Sequence, residues 1–181
     1  MFNRKLQDRE KAMKRIYQII LSSTLLLSCG GFLVSCSDDT ENEIENTVTI
    51  DSLPAAARQF LNKYFEGEKI SKIEEEIDGN VTVYVVNLEN GFEVVFNSEG
   101  EWTQVVAPDY KTVPSGIIPE TVTEALSANN YSSYGIKQIN TTGEGWKVEL
   151  SNNLNNEPGG AGIDIWINQS GEITNVSQED V

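Results

Sequence analysis

One pattern constrains the fold of this chain more than any other: a short amphipathic helix followed by four strand-like runs, and then the same order again. In SLPAAARQFLNKYFEG, residues 52–67, the side chains Leu53, Ala57, Phe60, Leu61, Tyr64 and Phe65 recur at spacings of three and four, which is one face of a helix. Ser52 is placed to cap it, Pro54 is tolerated in the first turn, and Gly67 ends it. KISKIEEEI, NVTVYVVNLE, GFEVVFNS and EWTQVVA follow, separated by Asp78-Gly79, Asn90-Gly91 and Glu99-Gly100. Strand-like runs punctuated by such pairs predict an antiparallel meander.

The second copy begins where Ile118-Pro119 repeats Leu53-Pro54, with Val122, Ala125, Leu126 and Asn129 in the places of Ala57, Phe60, Leu61 and Tyr64. YGIKQIN, GWKVELS, GIDIWIN and GEITNV supply four more strands. Gly100-Glu101-Trp102 returns as Gly171-Glu172-Ile173, at a slightly longer offset than the helices, and the surplus falls in the polar, Gly-rich tip NNLNNEPGGAG, residues 152–162. The expected fold is α+β: two αββββ units, residues 48–107 and 117–178, joined by a linker over 108–116.

The charge of −15 is unevenly spread. Residues 1–35 hold six basic side chains and two acidic ones, a charge of +4, so Cys36–Val181 carries −19. Such a balance repels phosphate backbones and anionic headgroups, which excludes nucleic acid as a partner and favours neutral or basic proteins or peptides. Behind the basic start, residues 16–34 are free of charge, the pattern of a secretory leader. An uncleaved signal anchor is the alternative, since about 20 apolar residues span a bilayer. Leu33, Val34, Ser35 and Cys36 resemble the bacterial lipobox, whose cysteine is acylated and becomes the new N-terminus. Leu26, Leu27, Ser28 and Cys29 resemble it less well. The expectation is a leader over 1–35, lipid attachment at Cys36 and an acidic tether over 36–47. Ser37-Asp38-Asp39-Thr40-Glu41 resembles the signal that exports some lipoproteins of Gram-negative gut-type bacteria to the outer face of the outer membrane, so the chain is expected at that membrane, on its periplasmic or cell-surface side.

With Cys36 acylated, the folded part has no thiol, and the whole chain has no histidine. Ser-His-Asp triads, cysteine nucleophiles and His- or thiolate-held metals are therefore absent. Asp78-Gly79-Asn80 lacks the ligand spacing of a calcium loop and reads as a turn. No phosphate-binding glycine loop is present. The expectation is no cofactor, no metal and no catalytic residue.

The helix-then-four-strand duplication, its L-P-x-A helix start and the run GFEVVFNSEGEW resemble the PepSY-like and beta-lactamase-inhibitor-protein-like families of secreted or lipid-anchored bacterial proteins. The likeness covers nearly all of residues 48–178. It implies that the two sheets join, with the helices on one face and the other open and concave; in the inhibitor branch that face grips an enzyme. The linked cysteines of that branch are missing here, which argues against beta-lactamase as the target.

Side-chain alternation assigns the faces. Ile163, Ile165 and Ile167 belong against the helices, which leaves Asp164 and Trp166 outward. The same rule sends Val81, Val83, Val85, Phe92, Val94, Phe96, Trp146, Val148 and Leu150 inward, with Trp102 also in the core. Tyr84, Val86, Glu93, Val95, Lys147, Glu149, Asp164 and Trp166 form the expected partner-binding set, aromatics among charges in the manner of a protein-binding surface. Three functions compete: a non-enzymatic envelope lipoprotein that binds, and in one version inhibits, a protein or peptide; a structural or adhesin-like surface lipoprotein; and, last, a carboxylate-only hydrolase using acids such as Glu93, Glu149 and Asp164.

Overall fold

The computed structural model describes residues 49–78, 81–151 and 162–178. The leader, Cys36, the tether, most of the Asp78-Gly79-Asn80 turn and the tip at 152–161 lie outside the described residues. A 3-10 turn, Ile50–Ser52, precedes helix α1, Ala55–Tyr64. Strands β1 (Ile70–Asp78), β2 (Val81–Leu88), β3 (Glu93–Asn97) and β4 (Trp102–Val106) follow. Helix α2 (Glu120–Ala128) then leads into β5 (Gly135–Thr142), β6 (Gly145–Ser151), β7 (Ile163–Asn168) and β8 (Ile173–Gln178). All eight strands lie in one antiparallel sheet in sequence order, so the expected pair of αββββ units shares a single sheet.

Both helices start behind a proline. Pro54 and Pro119 hold the cap positions with φ of −51° and −58° and offer no side-chain cap, so Ser52, in the 3-10 turn, is not the expected N-cap. Proline suits this place because its missing N–H would have had no helical acceptor. Leu53, Ala57, Leu61 and Phe65 from the first helical segment and Val122, Ala125 and Leu126 from α2 are buried in one core with the helix-facing side chains of the sheet.

The two units also share a turn. Asn97 Oδ1 accepts the N–H groups of Glu99 and Glu101, and Asn97 Nδ2 donates to Glu101 Oε2 at 3.0 Å. Asn168 does the same with Ser170 and Glu172. Gly100 and Gly171 sit in these turns at φ +83° and +84°, each against the start of its own unit's helix. A Cβ on Gly100 would meet Pro54 Cβ at 2.7 Å and the Ala57 nitrogen at 2.8 Å, whereas one on Gly171 would meet a Thr121 methyl at 3.2 Å. Gly100→Ala is therefore expected to lower stability by about 2–3 kcal/mol and Gly171→Ala by about 1 kcal/mol, since both strain the backbone but only the first collides with it. Chemical denaturation of the two variants checks the order.

The linker is docked rather than slack. Val113 is buried, as is Ile117 at the start of the second unit, and the Lys137 ammonium donates to the carbonyls of Pro108 and Lys111. Burial lowers the Lys137 pKa, against the opposing pull of Asp109 and Glu149.

The inward expectations hold in β3, β4, β6 and β7. Ile163, Ile165, Ile167, Val148, Leu150, Val94 and Phe96, with Phe92 just ahead of β3, join the helix-side core, and Trp102 and Trp146 pack half-buried against it. Strand β2 has the opposite parity. Tyr84 pairs with Phe96 and Val86 with Val94, so Tyr84 and Val86 face the helices. Val83 and Val85 lie on the other side with Val95, and Val81 packs against them. The cause is the hairpin: Leu88 N–H donates to Phe92 O at 2.8 Å, which sets Leu88 opposite Phe92. Phe92 packs on Phe65 in the core, ring centres 5.2 Å apart, and Leu88, Val86 and Tyr84 follow it inward at every second residue. Both faces of β2 are apolar, so alternation alone could not choose between them.

Candidate functional site

The helix residues of the core all belong to one side of the sheet, which leaves the opposite face without a helix among the described residues. Cross-strand pairing arranges that face in rows. One row runs Asn87, Glu93, Val106, Gln138, Glu149, Asp164, and the next Val85, Val95, Gln104, Asn140, Lys147, Trp166. Of the expected partner-binding set, Glu93, Val95, Lys147, Glu149, Asp164 and Trp166 share this face. Tyr84 and Val86 do not, for the reason given above. On the helix side Tyr84 stands opposite Glu75; burial first, then the Glu75 charge and hydrogen bond, raise its phenol above the ordinary value.

The face is divided. In the first unit Val83, Val85 and Val95 are each 0% exposed, so Val95 points as expected yet offers no surface to a partner. In the second unit the row is ionic. Lys147 Nζ lies 2.6 Å from Asp164 Oδ2, with the two side chains 23% and 20% exposed, and the same ammonium sits 4.9 Å over the Trp166 ring. Partial desolvation strengthens the pair relative to one on an open surface, and the cation adds to it through the ring. Trp166 is thereby held half-buried, with its ring braced by Lys147. Asn140, buried beside Lys147 on the neighbouring strand, accepts from Gln138 Nε2 at 3.2 Å. Alternation did contain the signal for Gln104, Gln138 and Asn140, polar residues flanking Val105 and Ile139, but no apolar stripe drew attention to them.

Strand spacing also bears on carboxylate chemistry. Glu93 is three strands from Glu149, about 14 Å at the usual 4.8 Å per strand, beyond the 5–9.5 Å that paired glycosidase acids need. Glu149 and Asp164 are directly opposite one another, but Asp164 is engaged by Lys147. Among the described residues no group of three or more acidic, Cys or His side chains converges as a metal site.

A concavity lies on the helix side. A cleft of about 880 Å³ opens between the first turn of α1 and the start of α2, lined by Phe60, Trp102, Trp146, Thr82, Thr141 and Glu101 among others.

The profile of the beta-lactamase-inhibitor-like, PepSY-like family matches residues 40–100 and 82–175. Three solved structures from Bacteroides are similar over most of the chain. A protein of unknown function from Bacteroides vulgatus, described as periplasmic, is 32% identical, with 71% of this chain and 94% of that one covered and a TM-score of 0.60. A DUF2874-family protein from the same species, also described as periplasmic, is 23% identical over 75% and 98% of the chains, with a TM-score of 0.62. A third, from Bacteroides thetaiotaomicron and described as a calcium-regulated periplasmic protein, is 22% identical over 72% and 94%, with a TM-score of 0.61. The last two bear on the fold alone. No curated protein matches the chain. Two family matches that together span residues 40–175, on a sheet built from two helix-and-four-strand units, make this chain a member of the beta-lactamase-inhibitor-like, PepSY-like family.

Proposed function

We propose that the chain is a non-enzymatic envelope lipoprotein, anchored to the outer membrane through acylated Cys36, that binds a neutral or basic protein or peptide on the sheet face away from its helices. The observation that carries this reading is Trp166, a large aromatic half-buried on that face and braced by Lys147, which is itself paired with Asp164. Held aromatics flanked by charge are the usual anchors of protein contacts. The contact surface centres on Lys147, Glu149, Asp164 and Trp166, with Glu93 at its margin. Membership of an inhibitor-like family supports a non-enzymatic role, and the periplasmic description of the 32%-identical structure supports the envelope setting.

The test is capture of a partner from envelope extract by the full chain, compared with Trp166→Ala. The variant is expected to bind about 30-fold more weakly, the equivalent of about 2 kcal/mol. Undiminished capture by a folded Trp166→Ala protein would remove this face from the binding site. Tyr84→Ala, on the helix side, is expected to leave capture intact.

A further inference from the structure

We propose that the helix-side cleft between the two units is a separate binding site, and that its ligand is an extended peptide segment bearing lysine or arginine. It lies across the sheet from Trp166 and is independent of the reading above.

Three observations converge on it. The first is a departure from the repeat. The turn that ends in Trp102 recurs in the second unit with the same hydrogen bonds but ends in Ile173, and Phe60 of α1 corresponds to Ala125 of α2. Packing thus manages without aromatics in the second copy. In the first, Phe60 lies 6.4 Å from Trp102, and the two form the cleft wall with Trp146 of the second unit. The second observation is charge. Glu99 and Glu101 line the cleft and are exposed, no lysine or arginine among the described residues lines it, and Asn97 holds the Glu101 carboxylate in place. Aromatic faces beside carboxylates attract a cationic side chain and repel an anionic one.

The third is the seam itself. β4 and β5 pair through only three residue pairs, ending at Gln104 and Asn140, against four to eight for the other neighbours. Trp102–Thr103 and Thr141–Thr142 run on past that end into the cleft lining. Beyond that end Thr141 Oγ1 donates to Thr103 O at 3.5 Å, the outer limit of a hydrogen bond. A ladder that stops short of its strand ends leaves backbone groups at the cleft to which an extended segment can bond, and a volume of about 880 Å³ is within the range of ligand-binding clefts.

Calorimetric titration of the detergent-purified full chain tests this with three probes: the blocked peptide Thr-Lys-Thr-Lys-Thr, its Thr-Glu-Thr-Glu-Thr counterpart and a neutral oligosaccharide. The lysine peptide is expected to bind at least about tenfold more tightly than either of the others and to weaken as salt rises. Trp102→Ala is expected to abolish binding. Should that variant fail to fold, the exposed pair Glu99→Gln with Glu101→Gln carries the test, with an expected loss of about fivefold to tenfold. Trp166→Ala is expected to leave this binding unchanged. Equal affinity for the two peptides, preference for the oligosaccharide, no binding of the lysine peptide at about 1 mM, or a glutamine variant that binds normally would each overturn the proposal.

Discussion

Phe96→Ala is expected to destabilise the folded chain by about 3–5 kcal/mol, the cost of a large cavity in a core that cannot collapse around it. Phe96 is fully buried beneath α1, edge-on to Phe60 at 5.5 Å and opposite Tyr84 on β2. Ile165→Ala in the second unit is expected to cost about 2–5 kcal/mol for the same reason, while its neighbour Trp166→Ala costs less because it opens no hole under a helix. Denaturant midpoints at constant slope measure all three. A benign Ile165→Ala beside a collapsed Trp166→Ala would mean that the register of β7 is shifted by one residue. β2 permits no such test by truncation, since Val85 and Val86 face opposite sides and both are fully buried.

Cys36→Ala is expected to abolish maturation altogether, leaving the precursor with residues 1–35 attached and without acyl chains. The mass of the membrane-extracted wild type should show loss of those residues and gain of two or three acyl chains, because a single chain binds a bilayer only marginally. Normal processing and anchoring of the Cys36→Ala protein would refute lipidation at this position. The result is independent of the sheet and of both proposed sites, since Cys36 comes well before Ala55, where α1 begins.

Local chemistry was enough to determine a great deal of this protein. The spacing of Leu53, Ala57, Leu61 and Phe65 specifies a helix with one buried face, the glycine pairs specify where strands reverse, and the return of Gly100-Glu101 as Gly171-Glu172 specifies a duplicated unit. Where one face of a strand is apolar and the other polar, as in Ile163–Asn168, the sequence also determines which side chains meet the helices, because only one orientation buries the isoleucines.

Tertiary structure decided what that asymmetry could not. Val81–Leu88 is apolar on both faces, so its orientation came from the Leu88–Phe92 hairpin bond and from the place of Phe92 against Phe65, contacts that no single strand contains. That choice moved Tyr84 and Val86 away from the expected binding face and put Val83 and Val85 there instead. The closeness of Lys147, Asp164 and Trp166, and the cleft that gathers Phe60, Trp102 and Trp146 from two units, likewise depend on which strands are neighbours and where their pairing stops. Periodicity along a chain reports which way a side chain points; what it points at is settled by register between strands far apart in sequence.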